Sequence, residues 1–315
     1  MRLHIGALAL LAGTTWLVAP GGSARAQDNA AAAVATVNGQ TITQAEMDAA
    51  IKARGPLPVE ISGEARKRLQ FDVVCMLIDG RLWDEYLQKN GPKIDKAEID
   101  KRMAEWEESV KKSGHTMEQY YKDSGQTEAT LRTGLLTTMQ WEAIAKAKIT
   151  DADVRRYYDE NKDYFDEVIV HASHIVLKVA KNAPEEEKKA AREKLTAIRA
   201  DVVAGKIDFA EAAKKFSQDQ TAKDGGDLGT FPRKFVMAEG IARVAFALPV
   251  GGVSEVVETE YGLHIIKVTE RNGGEKKSDF EKIKDAVRDM CSAELQLAVM
   301  ADLRQSAKIE LNLPK

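Results

Sequence analysis

Three side chains in the sequence could share chemistry: His174, Asp219 and His264. Two imidazoles and a carboxylate can pass protons, orient a polar substrate group or ligate a metal. None of the three stands at a tight ligand spacing from another. HExxH, CxxC, GxSxG and the phosphate-binding glycine loop are absent, which argues against a hydrolase or a metalloenzyme. Asp219 lies in Ser217–Phe231, SQDQTAKDGGDLGTF, a polar stretch whose double glycine leads into a short apolar run. Such a loop can aim an acid into a groove, or carry an ordinary solvated one. Each histidine can equally be a core side chain with its hydrogen bonds satisfied. The elements that carry the three residues decide between these readings.

Both histidines fall on predicted strands. Val168–Lys178 is rich in β-branched residues, and a period of two puts Val168, Val170, Ala172, His174 and Val176 on one face. In Leu263–Thr269 the same period groups His264, Ile266 and Val268 with Gly262. Asp227–Phe231 and Val256–Glu258 supply two further strands, the latter joined to Leu263 by a turn at Tyr261-Gly262. Helices are predicted from Pro184 to Ala204, from the Asp208 cap to Phe216, and over about Glu239–Phe246.

The flanks read differently. Val34–Ile42 is a hairpin about Asn38-Gly39. Thr43 and Glu46 then form a capping box, stapled by Ile42 and Met47. Helical periodicity continues through Ser62–Lys89, Asp95–Ser113 (with Asp95 and Glu98 as a second capping box), Met117–Lys122, Thr127–Lys148 and a short helix fading by Asn161. Arg271–Ser278 is a linker. A last amphipathic helix, capped by Asp279, runs to about Lys308, with Phe280, Ile283, Val287, Met290, Leu297 and Leu303 on its apolar stripe. One such helix cannot bury its own stripe. Its expected partner is the N-terminal helical region, so Val168–Arg271 becomes an α+β domain inserted into an all-α domain built from both ends of the chain.

The chain has 315 residues, 44% hydrophobic, with a formal charge of -3. It can bury a sizeable core and has no overall drive towards nucleic acid. Residues 1–26 read as a cleavable export signal: Arg2, an apolar run from Ile5 to Val18, then Ala24-Arg25-Ala26. Without a cysteine near that site, no lipid anchor is expected. The mature chain is predicted to be exported, to the periplasm, and not inserted in a membrane. Cys75 and Cys291 have two readings, a disulfide tying the front of the chain to its tail or two buried thiols.

From Val168 to Glu270 the sequence resembles the parvulin family of peptidyl-prolyl cis/trans isomerases. The matching stretches are Ala172–Lys178 (ASHIVLK), Phe216-Ser217, Gly226–Phe231 (GDLGTF), Ala245–Leu248 (AFAL) and Tyr261–Ile266 (YGLHII). The flanks resemble the chaperone part of exported bacterial foldases of the SurA and PrsA kind. The resemblance implies a four-stranded antiparallel sheet with surrounding helices. It also implies a division into 1–26 (signal), 27–165 (helical chaperone domain), 166–271 (isomerase domain) and 272–315 (closing helix). On it, His174 and His264 are the paired central histidines, Asp219 stands beside the substrate amide, and Thr221 is a hydroxyl in the same loop. Leu228, Met237 and Ile241 line the pocket for the proline ring, with Phe246 behind it. Many relatives have Phe where this chain has Ile241. The loop Val179–Pro184 lacks the Arg/Lys cluster of phosphoserine-directed relatives, so no phosphate requirement is expected.

The implied activity needs no cofactor and no metal. Its partners are unfolded or partly folded exported polypeptides with X-Pro bonds. The alternative is a holdase with little isomerase activity, its groove lined by residues such as Met47, Met76 and Trp83.

Overall fold

The computed structural model describes residues 33–55 and 61–313. The predicted export signal lies outside them. The chain forms two units: residues up to Thr150 together with those from Arg288, and Asp151–Val287.

The first unit opens with β1 (Ala33–Val37) and β2 (Gln40–Thr43), paired antiparallel about the Asn38-Gly39 turn. Both turn residues have positive φ, 49° and 82°, which is why this dipeptide makes the turn. In α1 (Gln44–Ala53) the predicted capping box is present: Glu46 N–H donates to Thr43 Oγ1, and Glu46 Oε2 accepts from Thr43 N–H at 2.8 Å. There follow α2 (Gly63–Asn90), α3 (Lys96–Lys112), α4 (Met117–Ser124) and α5 (Glu128–Lys148). Asp95 precedes α3 but its side chain makes no cap hydrogen bond, so the second capping box is not formed.

The second unit runs through α6 (Asp151–Glu160), α7 (Lys162–Phe165), β3 (Ile169–Leu177), α8 (Glu185–Val203) and α9 (Phe209–Phe216). A 3-10 turn (Gln220–Asp224) follows, then β4 (Asp227–Pro232), α10 (Glu239–Ala247), β5 (Val257–Thr259) and β6 (Gly262–Asn272). Its sheet has the order β4-β3-β6-β5, all neighbours antiparallel. One face packs Val168, Val170, Ala172, Phe231 and Ile266 on Ile241, Ala245 and Phe246 of α10. The other packs Ile175, Leu177, Leu263 and Ile265 on α8 and α9.

The closing helix α11 (Phe280–Ser306) begins in the second unit and ends in the first, followed by β7 (Ile309–Leu311). Its last turns pack on α2, where Arg304 Nε donates to Asp79 Oδ1 at 2.6 Å, while Ser292 Oγ accepts from Trp141 Nε1 of α5 at 3.0 Å. The first unit is thus built from both ends of the chain. The sequence places residues 307–308 in the helix and shows no strand after it. The structure ends the helix at Ser306, and β7 adds to β1 with Ala35 opposite Leu311. Three residues are too few to show a period, and this strand is specified by a partner at the opposite end of the chain.

Met47 and Trp83 are 0% and 1% exposed, so neither lines a groove. Met76 is half-buried, with Arg54 Nη2 3.5 Å from its sulfur. Cys75 and Cys291 are thiols in this structure, not a disulfide.

Candidate active site

His174 lies on β3 and His264 on β6. In the antiparallel register His264 is opposite Val176 and His174 opposite Ile266, so the two histidines are diagonal neighbours. Their rings stack at 5.4 Å with 28° between planes, and their Nδ1 atoms are 3.3 Å apart. His174 is 5% exposed and His264 1%. Burial lowers the pKa of His264, and the neighbouring His174 lowers it further, to about 4. Burial lowers that of His174 too, against the pull of Asp219. Both imidazoles are therefore neutral at neutral pH.

Asp219 caps the 3-10 turn and accepts from Thr221 N–H at 2.9 Å. Partial burial works against its charge, but hydrogen bonds from the Thr221 N–H and hydroxyl, together with His174, outweigh burial and hold the carboxyl below its usual range. An ionised Asp219 only accepts hydrogen bonds, and this sets a direction for the whole network. The Thr221 hydroxyl donates to Asp219. His174 Nε2–H then donates to Thr221 Oγ1 at 3.2 Å, with Asp219 Oδ1 3.7 Å from the same nitrogen. His174 Nδ1 is left to accept from His264 Nδ1–H. His264 Nε2 in turn accepts from the Thr259 hydroxyl at 2.8 Å. Thr259 Oγ1 is itself held by the N–H of Tyr261 at 3.1 Å.

The local fold fixes Asp219 through residues just before it. The N–H of Val176 donates to Ser217 Oγ at 3.1 Å, Gln218 N–H donates to the Val176 carbonyl at 2.9 Å, and Lys178 N–H donates to Gln218 Oε1 at 2.7 Å. Ser217 and Gln218 so continue the edge of β3. Gly226 makes the return possible. Its φ is +79°, and a Cβ there would stand 2.1 Å from the His174 carbonyl oxygen. The backbone oxygen of Gly226 in turn accepts from His174 N–H at 2.8 Å.

Leu228, Met237, Ile241 and Phe246 come together in one apolar cluster. Ile241 and Phe246 are buried, while Leu228 and Met237 are half-buried and keep an open surface. Val257, opposite His264 on β5, packs against the same cluster, so it adjoins the imidazole pair.

The structure therefore brings the sequence-predicted residues into two adjoining groups, one polar and one apolar. Sequence reasoning missed Thr259, Ser217 and Gln218. It centred the last turn on Tyr261-Gly262, whereas Thr259 pairs with Gly262 and the turn is Glu260-Tyr261. In either register Thr259 shares the face of His264, so the period of two along the strand is the signal that places it there. It also missed His171 Nε2, 2.7 Å from Asp227 Oδ1, an ion-pair geometry that holds the start of β4 against β3. Among the described residues, no group of three or more His, Cys, Asp or Glu side chains is arranged to hold a metal ion.

A model of the PPIC-type PPIase (rotamase) domain matches residues 174–270. The foldase protein PrsA of Bacillus subtilis (strain 168) is 32% identical over 224 residues, 71% of this chain and 67% of that protein. PrsA of Geobacillus sp. (strain WCH70) is 32% identical over 230 residues, 72% of each chain. PrsA of Geobacillus kaustophilus (strain HTA426) is 38% identical over a shorter stretch of 147 residues, 44% of its length. With 32% identity running through two thirds or more of the first two relatives, and not through the rotamase segment alone, the chain belongs to the PrsA-type foldases and carries their parvulin rotamase domain.

Proposed function

We propose that the second unit catalyses cis/trans rotation about X-Pro bonds in exported polypeptides, and that the first unit holds those chains while they fold. The observation that supports the reading best is the neutral His174–His264 pair, hydrogen-bonded in one direction from Thr259 to Asp219 and bordered by an apolar cluster with two half-open side chains.

The barrier to peptide rotation is about 18–20 kcal/mol and comes from amide conjugation. Lowering it requires a site that favours the twisted amide over the planar one. In this reading Leu228, Met237 and Ile241 grip the proline ring, with Phe246 behind it, while the preceding carbonyl turns. Asp219 is the charged group of the site. Conjugation places negative charge on the carbonyl oxygen of a planar amide, so a fixed carboxylate near that oxygen disfavours the planar state more than the twisted one. The imidazole pair and Thr221 hold Asp219 in place and in charge. The work is electrostatic pre-organisation, with no covalent step and no cofactor. Ile241, where many relatives have Phe, is buried in α10 and shapes the floor of the cluster.

The test is exchange spectroscopy on an Ala-Pro peptide with the full chain. Acceleration that is lost in Asp219→Ala and in His264→Ala is expected, and no acceleration by the wild type rejects the isomerase role. The holding role is supported by the family match. Met47 and Trp83 cannot carry it, being core residues, so its surface lies elsewhere on the first unit. Suppression of client aggregation by the full chain in the Asp219→Ala background measures it separately. Export is supported by the signal-like residues 1–26, and amino-terminal sequencing of secreted protein checks cleavage after Ala26.

A further inference from the structure

Between β4 and α10 the chain holds two apolar side chains in water. Phe235 is 71% exposed and Val236 59%. Phe235 also has φ +71°, in the left-handed region that a bulky side chain rarely adopts. The segment is fastened at both sides. Arg233 donates twice to Glu239, at 2.8 and 2.6 Å, closing the loop across its base. The Lys234 ammonium lies 5.4 Å from the centre of the Tyr157 ring. Tyr164 meets the Phe235 ring at 5.6 Å and 84°. Folding has little use for this arrangement, since glycine at 235 would relieve the backbone. A strained backbone that carries exposed apolar side chains marks a binding position. The next residue, Met237, packs with Leu228, Ile241 and Phe246, so the exposed pair immediately precedes the cluster in the chain.

We propose that Phe235, backed by Tyr164, is a specificity-determining residue that receives an apolar or aromatic side chain next to the proline of a client polypeptide. This rests on the cluster being the proline site. Consecutive Cα atoms are about 3.8 Å apart, so a peptide whose proline lies against Leu228 and Met237 has a flanking residue within reach of position 235. An aromatic ring suits the task because it offers a large contact area with few torsions to freeze.

The test is calorimetric titration of the full chain with two proline peptides, one with phenylalanine on both sides of the proline and one with glycine there. The wild type is expected to bind the first about tenfold more tightly. In Phe235→Gly that preference should fall to about twofold or less, with the melting temperature within about 3 °C of wild type. If the glycine variant does not fold, Phe235→Asn, which also tolerates the left-handed region, serves the same comparison. A wild type without preference, or a variant that keeps it, overturns the proposal. Exchange spectroscopy on the same samples separates the two readings. The expected preference without acceleration of exchange supports this proposal and rejects the isomerase role; acceleration with an unchanged preference in the variant does the reverse.

Discussion

His174 and His264 meet through their Nδ1 atoms, 3.3 Å apart, and that contact lets only one of them carry its proton there when both are neutral. The charge of Asp219 decides which. With Asp219 ionised, His264 donates and His174 accepts, and every hydrogen in the network from Thr259 onward points towards the carboxylate.

Asp219→Asn removes the charge and keeps the shape. The isomerisation rate constant kcat/KM for an Ala-Pro peptide is expected to fall by about a hundredfold, as when one pre-organised electrostatic group is lost from a site of this kind. Line-shape analysis of the peptide would show it. A loss smaller than about threefold would mean that the anion has no part in the rate.

Thr259→Val leaves the fold space filled but withdraws the hydroxyl from His264 Nε2. A buried acceptor then lacks its donor, at a cost of about 1–3 kcal/mol. With Asp219 still ionised, the His264 proton should stay on Nδ1 in wild type and variant alike, and nitrogen chemical shifts of His264 report that directly. A His264 that carries its proton on Nε2 in the wild type rules out the assigned direction.

Acid should loosen the second unit before it titrates the carboxylates. The folded pKa of His264, about 4, lies below the ordinary value of 6.5. Between those values the unfolded chain binds a proton that the folded chain does not, so stability rises with pH across the window and is lost as pH falls through it. The contribution is about 3 kcal/mol and is complete above the ordinary histidine range. The lowered carboxyl of Asp219 adds a loss in the same direction, but at lower pH. Urea unfolding across this range should show the slope, and His264→Leu should flatten it. Activity, in contrast, should be level from about pH 7 to about pH 8, because burial holds both imidazoles below their ordinary value and neutral there.

Gly226 and Gly229 both have positive φ, but only Gly226 has a neighbour in the way. Gly226→Ala would drive a methyl group into the His174 carbonyl and should cost about 3 kcal/mol or more, with loss of activity. Gly229→Ala meets nothing within 4 Å and should cost about 1–2 kcal/mol from backbone strain alone. Unfolding curves of the two variants test the difference, and equal costs would remove the close approach as its cause.

Much of this site can be read from the chain because its parts are local. A period of two places His174 on a buried face, an acid before Gly225-Gly226 points to a tight return, and the capping box at Thr43 and Glu46 is spelled out within four residues. What is less legible is which side chains meet across strands. Thr259 shares the face of His264 in either register of the β5–β6 turn, but the contact of its hydroxyl with Nε2 is a side-chain meeting that residue types alone do not announce. The amide of Gln218 replaces a strand partner, and no pattern of residue types announces that. Asp95 has the type and spacing of a cap but turns its side chain elsewhere, since a solvated carboxylate loses little by leaving the helix end to water. In the apolar cluster the residue types agree with a proline pocket, while the exposed Phe235 has no periodic signal at all.

The pairing of β1 with β7 has a consequence for how the molecule comes into being. Val37 and Ile309 are partners across almost the whole chain, and contacts of such separation form late because the intervening chain must first be brought together. The rotamase unit has its sheet entirely within its own segment and can complete that sheet without waiting for either end. During folding the rotamase unit would thus mature ahead of the helical unit, which stays unfinished until the last strand arrives.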